Sequence, residues 1–180
     1  MMYRISKGTR TSTGWRVAGA AGAAAATLAT VAIPAATSAA APAPCAAEAL
    51  GLSTRERPSD SPGQGRIEVV LTNTSAQSCA VQGFPGVDLA GPEDPTFGPT
   101  YQLPRQAAEP APLTVEPGAA VSSLLAYLPD GPDGWIPVTL MVTPPDTTTR
   151  LQAPWPTGIS VQRQDGATHP GTYIGPLQPA

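Results

Sequence analysis

The sequence is poor in the residues on which most catalytic and metal sites depend. It contains one histidine, His169, and two cysteines, Cys45 and Cys79, which lie far outside the C-x-x-C spacing of a redox or zinc site. His169 lies in a Thr-His-Pro-Gly turn, and no G-x-S-x-G nucleophile motif accompanies it. A histidine base needs a nearby nucleophile and a group that orients it. We therefore predict no catalytic residue, no metal site and no cofactor.

Lysine is nearly absent, and the one lysine lies in a basic N-terminal leader. This leader has four basic and no acidic residues, and an Ala-rich apolar stretch at residues 17–33 follows it. The pattern predicts a cleaved signal peptide over residues 1–41, followed by one secreted domain at residues 42–180. Small residues at the end of the leader place the cleavage after Ala39, Ala40 or Ala41.

Two other fates of the leader fit these residues less well. An uncleaved anchor needs about 20 strongly apolar residues, whereas this stretch is shorter, Ala-dominated and interrupted by glycines. A lipoprotein would be acylated at Cys45, but Pro42 and Pro44 occupy positions where that motif has a leucine-like and a small residue. We therefore predict a secreted or extracytoplasmic envelope protein with no stable membrane span after cleavage.

Positive charge is scarce beyond the leader. Residues 42–180 contain no lysine, six arginines and all thirteen acidic residues, so the net charge of this part is about −7. Such a surface repels phosphate backbones and anionic lipid headgroups. Nucleic acid is therefore excluded as a partner.

Uninterrupted segments long enough for helices are also lacking. All but one of the 23 prolines fall after residue 41, at short intervals. The apolar runs between them are short, rich in β-branched residues and bounded by turn residues, which predicts an all-β antiparallel sandwich in a single domain. The predicted strands are residues 67–71, 87–89, 113–115, 119–127, 138–142 and 159–161.

In an exported domain, two cysteines are expected to form a structural disulfide. Closing the chain between Cys45 and Cys79 would stabilise the fold by about 4 kcal/mol through loss of unfolded-state entropy. The sequence around Cys79 contains two turn signals. Asn73 is predicted to end a strand and cap the next turn through its side-chain amide, and Pro117-Gly118 to form a tight turn.

These motifs carry a family resemblance. The chain has Asn73-Thr74-Ser75, then Ser-Cys79-x-Val-x-Gly-Phe84-Pro-Gly-Val, then a Val-x-Pro-Gly turn before a long apolar strand. In this it resembles the secreted actinomycete domains grouped as domain of unknown function DUF 4232. The resemblance implies an immunoglobulin-like β-sandwich that is exported, often lies beside the cell envelope and has no assigned activity.

Two aromatic residues, Phe84 and Trp155, are candidates for binding. Phe84 fills the core or contributes to a recognition surface. Trp155, between two prolines, either packs against them or presents its indole to a sugar or a proline-rich partner. Trp135 follows an Asp-Gly loop and leads into an apolar run, so we predict that it is the buried tryptophan.

Two functional hypotheses follow. The first is a non-enzymatic, secreted or envelope-associated module that binds an unidentified protein or glycan of the envelope. The alternative is a carboxylate-dependent cell-envelope hydrolase, which requires two acidic side chains converging in one pocket. Asp130 and Asp133 are hard ligands suited to calcium, but the Gly and Pro between them are typical of an ordinary turn.

Overall fold

The structure, a computed structural model, describes residues 41–180. This part of the chain is all-β: it has no α-helix, and a single 3-10 turn at Ala47–Ala49 precedes the first strand. None of its helical segments is long or apolar enough to cross a bilayer. The predicted signal peptide, with Ala39 and Ala40 of its cleavage region, lies outside the described residues, and Ala41 is the exposed first residue within them.

The strands form two large sheets and one small one, and every pair of strands is antiparallel. The first sheet has the order β1-β2-β7-β10, with β11 also paired to β7; the second has the order β5-β4-β8-β9; β3 and β6 form a separate ribbon. The strands are β1 Leu50–Arg57, β2 Gly65–Asn73, β3 Cys79–Val81, β4 Gly86–Ala90, β5 Thr100–Gln102, β6 Leu113–Val115, β7 Ala120–Tyr127, β8 Thr139–Thr143, β9 Leu151–Pro154, β10 Tyr173–Ile174 and β11 Gln178–Pro179.

One hydrophobic core joins the two large sheets. Ile67 and Leu125 from the first sheet and Leu89 and Leu140 from the second are fully buried and belong to the same cluster of packed side chains. Burial of this kind is the main favourable term in folding. The prediction of an all-β antiparallel domain is confirmed, and the arrangement is compatible with an immunoglobulin-like sandwich.

Most of the predicted strands lie within observed strands, but residues 159–161 do not. Gly158 turns the chain with a φ of 78°. The backbone N–H of Val161 then donates to the Trp135 carbonyl, and that of Gln162 to the Leu128 carbonyl. Because these two amides bond to separate segments, residues 159–161 do not pair with a neighbouring strand. They form a loop whose apolar side chains are at least partly buried. The strand prediction for this run is wrong.

The predicted disulfide between Cys45 and Cys79 is confirmed. Backbone hydrogen bonds reinforce it on both sides: the Cys45 N–H donates to the Ala80 carbonyl at 2.9 Å, and the Ala80 N–H donates to the Ala43 carbonyl at 2.8 Å. Cys79 also pairs with Val115 in the β3–β6 ribbon. The bridge therefore attaches the N-terminal segment to the middle of the domain. A disulfide is consistent with an extracytoplasmic location.

Asn73 is the buried centre of the turn that precedes Cys79. Its side-chain amide donates to the carbonyls of Gln77 at 2.8 Å and Val115 at 2.9 Å, while its Oδ1 accepts the Ser75 N–H at 3.0 Å. The predicted turn at Pro117-Gly118 lies between β6 and β7. Gly118 has a φ of 77° there, which glycine adopts without strain. Both turn predictions are confirmed.

Candidate functional site

The structure places Trp155 in the core and leaves Trp135 only partly buried. Trp155 is 4% exposed; its ring meets that of Tyr127 edge-on at 5.9 Å, and its Nε1–H donates to the Ile159 carbonyl at 2.8 Å. It packs in the core, so the hypothesis of an exposed indole platform is wrong. Trp135 is only partly buried, and its Nε1–H donates to the Pro92 carbonyl at 2.9 Å. The prediction that Trp135 is the buried tryptophan is wrong as well.

Trp135 forms part of an aromatic box around Arg163. The Arg163 guanidinium carbon lies 5.0 Å from the ring centre of Trp135, 5.2 Å from that of Phe97 and 5.4 Å from that of Tyr101. Such cation–π contacts are strongest when the cation is removed from water, and the Arg163 side chain is 3% exposed. Both oxygens of Asp165 accept hydrogen bonds from the same guanidinium at 3.0 Å. The box fixes the loop that begins at residue 163.

A cleft lies beside this box, between the edge strand β5 and the loop 164–167. It encloses about 420 Å³, within the range of about 300–1,000 Å³ found for small-ligand sites. We call it the Arg105 cleft. It is lined by Gly86, Val87, Tyr101, Gln102, Leu103, Pro104, Arg105, Gln164, Asp165, Gly166 and Ala167.

Arg105 is the uncommitted cation of this cleft. Each of the other five arginines in residues 42–180 lies within 4.0 Å of a carboxylate, whereas Arg105 has no such partner among the residues that the structure describes. Its guanidinium carbon lies 5.9 Å from the centre of the Phe84 ring. Its backbone is anchored, since the flanking Pro104 carbonyl and Gln106 N–H both bond Ile174 at 2.9 Å. A charged group on a fixed backbone is thus left available to a ligand.

Phe84 occupies an intermediate position. It is half-buried, and it does not belong to the central core cluster. The ring instead lies at the rim of the fold beneath Arg105. Phe84 lies two residues before Gly86, which lines the cleft. A recognition role for Phe84 therefore stays a hypothesis.

Tyr101 has a buried hydroxyl beside the cleft. The residue is 1% exposed, and no oxygen among residues 41–180 accepts a hydrogen bond from its Oη. Burial raises the pKa of Tyr101, and the Asp165 carboxylate raises it further, while a loose hydrogen bond from the Gln164 backbone N–H and the charge of Arg163 lower it. The hydroxyl therefore stays protonated at neutral pH and lies against Gln164 and Asp165, which also line the cleft. A buried donor without an acceptor is costly and calls for an explanation.

Two carboxylates of a second cleft are paired with arginines. Asp60 and Glu68 line this cleft together. An Asp60 oxygen lies 2.6 Å from an Arg66 nitrogen, and a Glu68 oxygen lies 3.3 Å from the Nε of Arg55 and 3.8 Å from that of Arg57. Both carboxylates therefore serve as ion-pair partners within the fold.

Asp94 lies in a third cleft beside Trp135. Hydrogen bonds from the backbone N–H groups of Phe97 and Thr96, at 2.9 and 2.8 Å, hold the pKa of Asp94 below its usual range. A glycosidase acid requires the opposite shift. This carboxylate caps a turn.

The remaining sequence candidates lie apart from one another. The Nδ1 of exposed His169 lies 3.2 Å from the Thr168 hydroxyl. The backbone N–H of Asp130 donates to the Ser160 hydroxyl at 3.1 Å, and Asp133 is an exposed residue of the next turn. Across residues 41–180, no three His, Cys, Asp or Glu side chains are grouped so as to hold a metal ion.

Sequence reasoning missed both Arg105 and the Arg163 box. In the sequence, Arg105 follows a proline and Arg163 follows a glutamine. Neither pattern indicates a binding site. Their partners come from β5 and from three separate loops, and the sheet alone brings these together.

A family model described as a domain of unknown function, DUF4232, matches residues 45–173. No curated protein and no solved structure matches the chain.

Proposed function

The chain belongs to the DUF4232 family, a domain of unknown function, and we infer that it is an extracytoplasmic, non-enzymatic binding module that recognises a component of the cell envelope through the Arg105 cleft. The Cys45–Cys79 disulfide supports the location, since such bridges persist in oxidising compartments. The basic leader and its apolar stretch support export.

The observation that carries the proposal is the contrast between committed and uncommitted polar groups. Asp60 and Glu68 are paired with arginines, and Asp94 accepts hydrogen bonds from backbone amides. Glu93 and Asp133, which line the same cleft as Asp94, are exposed. The Arg105 cleft is lined instead by a guanidinium that has no carboxylate partner among the described residues. Groups of this kind recognise a ligand by charge and hydrogen bonding. Hydrolysis would need an acid and a base placed on either side of the scissile bond.

The proposal is tested by incubating the purified protein with envelope fractions of the cell that produces it. Two quantities are measured: the fraction of protein retained and the soluble fragments released. We expect retention without release above that of a heat-denatured sample. Release that disappears in an Asp60→Asn/Glu68→Gln variant would contradict the proposal and favour the hydrolase hypothesis. Absence of retention would contradict it also.

A further inference from the structure

We propose that the Arg105 cleft binds the free carboxyl end of an extended peptide chain. This inference rests on the proposed function and names the ligand of the same site. It is carried by two groups of the cleft: the open backbone edge of β5 and the Arg105 guanidinium.

The backbone edge is available at Gln102. Strand β5 is the edge of its sheet and pairs only with β4. The Leu103 N–H donates to the Val87 carbonyl, and Tyr101 lies opposite Leu89, so both of these residues direct their backbone groups toward β4. In an antiparallel pair the intervening residue points its N–H and C=O the other way. Gln102 therefore offers one donor and one acceptor to a strand lying in the cleft.

Peptides commonly bind in this way. Addition of an extended segment to an exposed sheet edge provides main-chain hydrogen bonds, and pockets for alternate side chains provide specificity. The opposite wall of the cleft is the loop 164–167. Arg163 and Gln164 hold this loop in place: Arg163 donates to the Thr100 carbonyl at 2.7 Å, and the Gln164 Oε1 accepts the Gly171 N–H at 2.7 Å.

Arg105 supplies the charge at one end of this edge. A guanidinium fork matches a carboxylate geometrically and binds it through two parallel hydrogen bonds. Arg105 has no competing carboxylate in the described residues, and the Phe84 ring beneath it orients the guanidinium. The nearest acid in the cleft, Asp165, is engaged by both of its oxygens with Arg163. On an otherwise acidic surface, this local positive charge favours an anionic terminus.

Arg105 lies within reach of a peptide that pairs with Gln102. The two residues are three positions apart, so their Cα atoms are separated by at most about 11 Å. A terminal segment of about three residues spans that distance with its carboxylate at Arg105.

The test uses ¹⁵N-labelled protein expressed from the full-length chain. It is titrated with a pool of N-acetylated tripeptides that end in a free carboxylate and, in a parallel arm, with the same pool as C-terminal amides. A third arm uses glucuronate. We expect the acid pool to shift the backbone amide signals of Gln102, Arg105 and Gln164 saturably, and the amide pool to need at least tenfold higher concentrations.

Two variants locate the effect. Arg105→Gln removes the charge but keeps a polar side chain, and it should abolish the difference between acid and amide pools. Arg57→Gln makes the same charge change at an exposed arginine outside the cleft, and it should behave like the wild type.

Each remaining outcome overturns the inference. Equal affinity for acids and amides would exclude carboxylate recognition, and shifts by glucuronate alone would assign the cleft to an acidic sugar. If no arm shifts any amide signal, a peptide is excluded as the ligand of the cleft. If envelope retention still depends on Arg105 in that case, only this inference fails, whereas loss of retention in the wild type would mean that the proposed function itself fails.

Discussion

Arg163 lies 5.0 Å from the ring centre of Trp135, although 27 residues separate them in the chain. The same guanidinium donates to the carbonyls of Gly98 and Thr100. One side chain thus joins the loop before β5, the loop before β8 and the loop that follows Trp155. The wall of the Arg105 cleft depends on this contact.

Arg163→Lys is expected to destabilise the domain by about 2 kcal/mol or more. Lysine keeps the charge but lacks the planar fork, so the carbonyls of Phe97, Gly98 and Thr100 would lose hydrogen-bond donors and the three aromatic rings would lose the guanidinium that they surround. Urea unfolding followed by tryptophan fluorescence measures the change. Arg150→Lys is the matched control, since Arg150 is 55% exposed and makes one ion pair. Equal midpoints for the two variants would show that the box contributes little.

Reduction of the Cys45–Cys79 bridge should lower the free energy of unfolding by about 4 kcal/mol. The comparison is urea unfolding with and without reductant, together with a Cys45→Ser/Cys79→Ser variant that reductant cannot affect. The variant and the reduced wild type should have the same midpoint. Two free thiols in the purified, unreduced protein would refute the bridge.

Tyr101→Phe should leave the fold intact and leave its stability unchanged or raise it by about 1 kcal/mol. The ring keeps its packing, and the variant removes a buried hydroxyl donor that has no acceptor among the described residues. Tyr173→Phe serves as the comparison at a partly exposed ring. A loss of more than about 1 kcal/mol in Tyr101→Phe would show that the hydroxyl is satisfied within the fold.

Two tyrosines should ionise above the ordinary range. Burial raises the pKa of Tyr101 and of Tyr127, and the Glu56 carboxylate adds to the shift at Tyr127. Since both folded pKa values exceed the unfolded value of about 10, their contribution to stability is fully present below pH 10. It is lost as the pH rises through the folded pKa values. Absorbance titration at alkaline pH should resolve these late phases, and Tyr101→Phe should remove one of them.

The sequence predicted those parts of the fold that depend on neighbouring residues. Residues 67–71 and 119–127 alternate or cluster apolar side chains, and they form the central strands β2 and β7. The polar edge strand β1 was not predicted from the sequence, because its second half, Ser-Thr-Arg-Glu-Arg, contains no apolar residue. Such charged residues are typical of an edge strand that avoids pairing with other chains.

Features that depend on long-range contact were not predictable. Trp135 and Trp155 have similar Pro-rich or Gly-rich surroundings in the sequence, yet packing against Tyr127 buries only Trp155. Arg105 gains its significance from the absence of a carboxylate nearby, which is a property of the folded surface. The local secondary-structure propensity of the sequence predicts neither the burial of Trp155 nor the lack of a carboxylate beside Arg105.

The most direct test of the binding account is the fraction of protein retained on isolated envelope by the wild type, Arg105→Gln and Arg57→Gln. Circular dichroism and urea unfolding first establish that all three are equally folded. The account predicts that Arg105→Gln lowers the apparent affinity at least tenfold, while Arg57→Gln stays within about twofold of the wild type, because Arg105 alone among the arginines of residues 42–180 has no carboxylate partner. Retention of Arg105→Gln at the wild-type level would contradict it.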